Sequence, residues 1–532
     1  LLDGSLTPRE FVRRVIRAGE LVVLQQGGLW NVLGSLHDLE QLPLGSGAMV
    51  LSASFLTADD AARHAHEKIG FRRGTALGGY LLKKTDGRFV FTDPVSIHGD
   101  GFASDLLLPT QGSGLLVPPA GYEIHARYAS HAALSLSDLG RQRRLGWTPA
   151  DLEVNITMFS DREIRSVIES RQPAYLSGSP NNLIGYTPSG SANELLVLNN
   201  TTREPGQHGY FERLETGKLK PVDIVSRLAE AGNLQVLIRS QLWGPRGKVY
   251  NDWTPNFEYA EVDLQAPAFG AIFNSQDAAA LNAHVRWYGR NLDAQGGAAY
   301  ILKHPQRDEF VVSELLPVKP DGRWLSDSTR GAGYLAGGDF AKGFVLVGLL
   351  YSQQWLPVGL STTEAWLTSF FVTPEVLLRA EEDARNLPRS STTPVLPVYF
   401  STLDGALLRY QPQASSLLKQ SSGGDGVTIQ GMSLRNGSLD TRRYISLIAK
   451  AGDLRVLYSS QCWDRRGPVS ENAVLWRPYR NFIRRRLGPA FQEQDDAVRH
   501  VRSQLSNHDN GGMGGVILKR PDGLFVATEP LR

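Results

Sequence analysis

The sequence predicts an α/β (α+β) fold built of tandem repeats, about two and a half copies of one pattern, and three observations carry that prediction. A hairpin-like stretch, GGYLLKKTDGRFVFTDP from Gly78, returns as AAYILKHPQRDEFVVSEL from Ala298 and as GGVILKRPDGLFVATEP from Gly514. A helix, glycine, strand and tryptophan recur in fixed register, with Gly19, Gly232 and Gly452 each 11 residues before Trp30, Trp243 and Trp463. Tyrosines recur as well, Tyr128 matching Tyr351 at an offset of 223, and Tyr175 matching Tyr399 and Tyr186 matching Tyr410 at 224.

Taken in order, the first element is a helix after Thr7-Pro8, with Phe11, Val12, Val15 and Ile16 on one face and a stop at Gly19. The apolar run Leu21 to Leu24 follows as a strand, and Trp30, Trp243 and Trp463 read as parts of the fold. Cys462 aligns with Leu29 and Leu242, which makes it a buried structural thiol rather than a nucleophile. A second helix begins near Phe55, Phe273 and Phe491, each followed four residues later by Asp59, Asp277 or Asp495. Acids ahead of an Ala-rich run read as helix caps. His64 and His500 share a position at which the second copy has Asn282, so no imidazole is required there. The hairpin comes next, and Asp86-Gly87 and Asp522-Gly523 mark its turn, because Gly accepts the positive φ that the turn needs.

The first two copies continue into a second half, which the third lacks. The expected division is 1–195 for the first repeat, 196–217 for a linker, 218–412 for the second repeat, 413–437 for another linker and 438–532 for the first half of a third. The linkers are read from their Gly, Ser and Asn content.

Composition excludes several classes. With 56 basic and 54 acidic residues the net charge is +2, which gives no bulk attraction to nucleic acid or anionic membrane. One cysteine excludes an intramolecular disulfide framework and a multi-cysteine zinc site. No apolar run approaches the roughly 20 residues of a membrane helix. The first residues, LLDGSLTPREF, carry neither Met nor a signal-peptide pattern. No phosphate-cradling loop, HExxH, GxSxG or kinase signature is present. His98-Gly99-Asp100 with Ser104-Asp105 reads as a polar loop, and the basic run 480–486, preceded by Trp476 and Tyr479, as a solvated face or protein contact.

One ordered set of features carries a resemblance. A Gly-Gly strand and hairpin precede Tyr128-x-Ser130-His131, then Phe159-Ser160 with acids beside it, then Tyr175-Leu176-x-x-x-Pro180-x-x-x-Ile184-x-Tyr186. This order resembles the DUF4329 family, which is similar to the JAB/MPN metallopeptidase fold of deubiquitinases and bacterial polymorphic toxins. The resemblance implies a JAB/MPN-like mixed sheet flanked by helices. It also implies a zinc-activated water held by His-x-His and an Asp, with a Glu as general base. Carried across, His131 matches the second histidine and Ala129 stands in place of the first. Ser160 matches the family serine, with Asp161 or Glu163 as the nearby acid. No Glu precedes the Gly-Gly strand: Ala76-Leu77, Gln295 and Asn510 stand there. In the second copy Ser352 and Gln354 replace both histidines, and Val372, Thr373 and Pro374 follow Phe371. His125 lies six residues before His131 on the same expected strand, a span of about 20 Å.

The resulting expectation is a non-catalytic binding or scaffolding repeat protein without a cofactor. It would be part of a bacterial secreted, toxin-like or effector protein that engages a protein partner or self-assembles, with no nucleic acid and no membrane-spanning segment. One alternative is a metal-dependent (iso)peptidase-like hydrolase acting through the first repeat, with zinc on His131, His125 and Asp161 and catalytic roles for Ser160 and Glu163. The other is a receptor-binding or oligomerising toxin component.

Overall fold

A computed structural model describes residues 8–19, 21–23, 34–35, 51–97, 117–119, 121–255, 268–287, 296–318, 343–353, 360–387, 395–413, 418, 428–460, 462–463, 466–470, 487–505, 513–528 and 530. The fold is mixed α/β, and the chain divides into two compact units, Leu1–Gln265 and Ala266–Arg532.

In the first unit an eight-stranded sheet runs in space Gly247–Lys248, Asn233–Ile238, Asn182–Thr187, Ala174–Ser179, Tyr122–Ser130, Leu77–Lys84 and Phe89–Phe91, with Val95–Ser96 also pairing Leu77–Lys84. All neighbours are antiparallel except Tyr122–Ser130 and Ala174–Ser179. A parallel pair needs a long crossover. Here the helices Leu136–Leu145, Pro149–Thr157 and Asp161–Ser170 supply it.

Alternation along Ala174–Ser179 shows which helix covers which face. Tyr175 and Ser177 bond to Asp59 and His66 of the helix Ala58–Ile69 on one side. Leu176 joins the core with Val154, Ile164 and Val225 on the other, where Gly178 lies against Thr157.

The second unit repeats this order with Gly467–Pro468, Gly452–Tyr458, Leu407–Pro412, Val398–Ser401, Val345–Ser352, Gly297–Lys303 and Phe310–Val312, again with one parallel pair, Val345–Ser352 beside Val398–Ser401. It also holds a three-stranded sheet ordered Leu487–Phe491, Phe525–Thr528, Ile517–Lys519, with the helix Gln494–Gln504. There Phe491 pairs Phe525 as Phe55 pairs Phe89 and Phe273 pairs Phe310. The hairpin turns form as expected, Gly87 at φ 81° and Gly523 at φ 85°. Asp86 and Asp522 accept the amides of Arg88 and Leu524 at 2.9 and 3.2 Å.

The compact units differ in phase from the sequence repeats. Asn233–Ile238, at the start of the second repeat, pairs with Asn182–Thr187 of the first, and Gly452–Tyr458 likewise pairs with Leu407–Pro412. The stretch 196–217 holds the second half of the helix Ala192–Asn199 and all of Tyr210–Glu215, with Val197, Tyr210 and Leu214 buried in the core. Its counterpart carries Ile429–Arg435 with Leu434 buried. Polar composition suggested linkers, and a few well-placed apolar side chains anchor the described parts of both segments instead.

Trp243 and Trp463 are buried, and each indole N–H closes on the last residue of a crossover helix, Trp243 on Thr157 Oγ1 at 2.9 Å and Trp463 on the Phe370 carbonyl. Trp30 lies outside the described residues. Cys462 is buried and is not part of a disulfide.

The ladders also correct one alignment. Tyr128 pairs Tyr175, whereas Leu350 pairs Tyr399 and Tyr351 pairs Phe400. Ser130 pairs Ser177 and Ser352 pairs Ser401, so Ser130 and Ser352 are the equivalent residues. Tyr351 therefore corresponds to Ala129, Leu350 to Tyr128 and Gln353 to His131. Residue identity drew the tyrosines together, while hydrogen-bond register places them one residue apart.

Candidate functional site

The sequence candidates fall where the strand Tyr122–Ser130 ends and the helix Asp161–Ser170 begins. Ser160 is the N-cap of that helix: its Oγ accepts the Glu163 amide at 3.3 Å, and Glu163 Oε2 accepts the Ser160 amide at 2.8 Å. This is a capping box, which satisfies two donors that a helix start leaves unpaired. The two preceding helices begin the same way, at Ser135 with Asp138 and at Thr148 with Asp151.

His131 follows the strand directly and bridges two helices. Its Nδ1 lies 2.6 Å from the Ile156 carbonyl, and its Nε2 lies 3.1 and 3.3 Å from the two oxygens of Glu163. A carbonyl and a carboxylate only accept, so both ring nitrogens are placed to donate and each already has a partner. Burial pushes the Glu163 carboxyl up, but the charge of His131 and the bonds from His131 and Ser160 outweigh it, and the group titrates below the ordinary Glu value.

Asp161 is held by Arg203, whose Nε and Nη2 each donate to one carboxylate oxygen at 2.5 Å, while the guanidinium lies 4.3 Å from the Phe211 ring centroid. His125 is turned away. Ala126 pairs Leu81 and Ile124 pairs Leu82, which leaves His125 as the extra residue of a β-bulge. Its ring meets Phe89 edge-on at 5.0 Å and feels Asp59 of the helix on the opposite face, while burial, then Lys83, lowers its pKa. The bulge breaks the even spacing that would have put His125 and His131 on one side.

The structure thus brings Ser160, Glu163 and His131 together, places Asp161 next to them in an ion pair, and sends His125 elsewhere. Ala129, at the first-histidine position, is a buried core methyl. These residues do not fit a zinc centre, and among the described residues no group of three or more His, Cys, Asp or Glu is placed to hold a metal ion. His131, Ser160, Asp161, Glu163 and Arg203 themselves line a cavity of about 410 Å3, with Met158 and Phe159 in its wall.

One pair of residues was missed by sequence reasoning. His66 Nδ1 accepts the Ser177 hydroxyl at 2.7 Å and its Nε2 faces the Pro180 carbonyl at 3.0 Å. His284 meets Ser401 at 2.8 Å and the Gly405 carbonyl at 3.2 Å in the same way. A Ser-His pair suggests a nucleophile, yet both rings and both hydroxyls are buried, and Ser177 Oγ also accepts from the buried Arg73 at 2.7 Å. The pair ties the helix over one face to the sheet beneath it. Its signal was available: each histidine stands seven residues after Asp59 or Asp277.

Those aspartates take a role other than the expected cap. Thr57 and Ser275 cap the helices, accepting from Asp60 and Ala278 at 3.0 and 3.2 Å. Asp59 and Asp277 instead accept the Tyr175 and Tyr399 hydroxyls at 2.8 and 2.6 Å. Burial, then the adjacent carboxylate, raises both tyrosines well above the ordinary phenol range.

His98, Gly99, Asp100, Ser104, Asp105, Gln295, Gln354, Trp476, Tyr479, 480–486 and Asn510 lie outside the described residues. Among the described residues no helix is long and apolar enough to cross a membrane. Compared with family models, curated proteins and solved structures, the chain gives no match.

Proposed function

We propose that the chain is a non-catalytic binding or scaffolding repeat protein that engages a protein partner or self-assembles, with DUF4329-like repeats of a secreted or effector type. The observation that carries this reading is the closed set of bonds about His131. Both of its nitrogens, the Glu163 carboxylate and the Ser160 hydroxyl are committed to holding the end of one helix and the start of the next against a strand end. A general base needs a free lone pair within reach of a substrate proton, and a metal ligand needs a free nitrogen. Duplication supports the same reading, because Tyr351 and Gln353 stand in the second unit where Ala129 and His131 stand in the first.

That His131, Ser160, Asp161 and Glu163 line one cavity favours the rival, a metal-dependent hydrolase acting through the first unit. Elemental analysis of the purified chain after incubation with zinc, together with cleavage of a fluorogenic isopeptide substrate, separates the two. The binding reading expects neither stoichiometric zinc nor turnover. Bound zinc that His131→Ala removes while circular dichroism stays unchanged, or turnover lost with it, overturns that reading.

A further inference from the structure

We propose that a cleft in the first unit, between the helix Asp161–Ser170 and the strand Tyr122–Ser130, binds a phosphate monoester. The cleft has a volume of about 380 Å3 and is lined by Arg127, Arg162, Arg165, Ser166, Glu169 and Ser170. After Arg162, the residues Arg165, Ser166 and Glu169 follow at three, four and seven positions, which is one face of a helix. Arg127 reaches that face from the strand beneath, where its Nη1 donates to Ser166 Oγ at 3.0 Å. Among the described residues, the cleft shares no lining side chain with the cavity at His131.

Arg127 carries the argument. A half-buried guanidinium needs a counter-charge, because a charge withdrawn from water and left unpaired is costly. Ser166 is neutral, no carboxylate among the described residues pairs with Arg127, and its Nε is shielded from solvent without a hydrogen bond. The acid in the cleft, Glu169, is taken by Arg165 at 3.1 Å, in a pair whose side chains are 41% and 53% exposed. Exposed pairs contribute little, so Arg165 can turn to a stronger anion at small cost. Three guanidinium groups against one carboxylate leave a net charge of about +2. A phosphate monoester balances it, carrying about −1.5 to −2 at neutral pH and three acceptor oxygens that suit guanidinium forks. A carboxylate or a phosphodiester brings a single charge.

The second unit shows that the fold does not need these arginines. Leu349 pairs with Val398 as Arg127 pairs with Ala174, and Leu349 is fully buried. Counted from the N-caps Ser160 and Thr373, Glu375 and Leu378 stand where Arg162 and Arg165 stand.

This site goes beyond the binding reading and does not rest on it, since zinc and turnover at His131 leave it untouched. Phenyl phosphate is titrated into the full chain by calorimetry near neutral pH at constant ionic strength. Saturable binding at one site is expected, weakened about tenfold or more by Arg127→Leu, which installs the residue of the second unit, and several-fold by Arg162→Gln on the exposed face. Circular dichroism should be unchanged in both. Methyl phenyl phosphate, the diester that differs by one charge, and benzoate should each bind about tenfold more weakly or worse. If Arg127→Leu disturbs the fold, Arg162→Gln and Arg165→Gln carry the test, each with a several-fold loss expected. The proposal is overturned if phenyl phosphate does not saturate, or if the variants bind it as the wild type does. It is equally overturned if the diester or benzoate binds as tightly, because the cleft would then be a general anion patch.

Discussion

The same strand ends differently in the two units. In the first it finishes Ala129, Ser130, His131, and in the second Tyr351, Ser352, Gln353. The serine is kept in both, and so are the two ties that hold the covering helix, His66 to Ser177 and Tyr175 to Asp59 in one unit, His284 to Ser401 and Tyr399 to Asp277 in the other. What changes lies on the opposite face, where the first unit has a small side chain and a histidine bonded to Glu163. The second has a buried tyrosine whose hydroxyl donates to the buried Asp383 at 3.0 Å. Contacts that join helix to sheet were held constant, and positions facing the crossover helices were free to be filled either way.

Breaking the filled version gives the largest expected effect. Tyr351→Ala removes a buried ring and the hydroxyl that donates to Asp383, and should cost the second unit about 3–5 kcal/mol, read as a lower urea midpoint. A cost near zero would mean that the ring is not the packing element of that face.

The shared ties predict acid sensitivity. Burial holds His284 down to about 4, although its bond to the Gly405 carbonyl works the other way. An unfolded histidine titrates near 6.5, so between those values the unfolded chain binds more protons and stability rises with pH. Stability present at pH 7 should therefore fall as pH drops below about 6.5 and level off near 4, by about 3 kcal/mol for this one group. Burial also lowers His500 to about 4, which adds in the same direction. Urea unfolding at pH 7 and pH 4.5 measures the loss, and His284→Gln should flatten it. An unchanged slope in that variant would reassign the sensitivity.

A smaller effect tests the corrected alignment. A Cβ on Gly79 would stand 2.4 Å from Thr92 Oγ1 and 2.6 Å from the Tyr128 hydroxyl, whereas the second unit carries Ala299 opposite Leu350. Gly79→Ala should cost about 1–3 kcal/mol by overpacking. Combined with Tyr128→Leu, which recreates the pair of the second unit, the loss should be less than the sum of the single losses. Additive losses would put Tyr128 and Leu350 back out of register.

The repeating helix, glycine, strand and hairpin were legible because hydrophobic period and turn residues are local properties. So was the capping box, since Ser160-x-x-Glu163 is a helix-start pattern, though the acid beside a family serine first suggested chemistry. The phase of the units was not legible, because Asn233–Ile238 chooses its neighbour Asn182–Thr187 through a ladder that crosses a stretch of polar composition. The bulge at His125 was equally hidden. A single extra residue reverses which face a side chain takes, and nothing in the local sequence announces it.

The smallest expected effect separates a structural acid from a catalytic one. Glu163→Gln keeps the shape and an oxygen for the Ser160 amide but removes the charge that faces His131. Because His131 is partly exposed, solvent screens the pair, and the cost at pH 7 should be about 1–2 kcal/mol. The folded carboxyl titrates below its unfolded value, so its contribution is present above the ordinary Glu pKa and is lost as pH falls through the folded one. The gap between wild type and variant should then be widest at neutral pH and close in acid, as followed by thermal unfolding across pH. A catalytic acid poised for proton transfer would have its pKa moved towards neutrality, opposite to the direction found here. A gap that widens in acid would show that the carboxyl is protonated in the fold, and would reopen the comparison between the two strand ends.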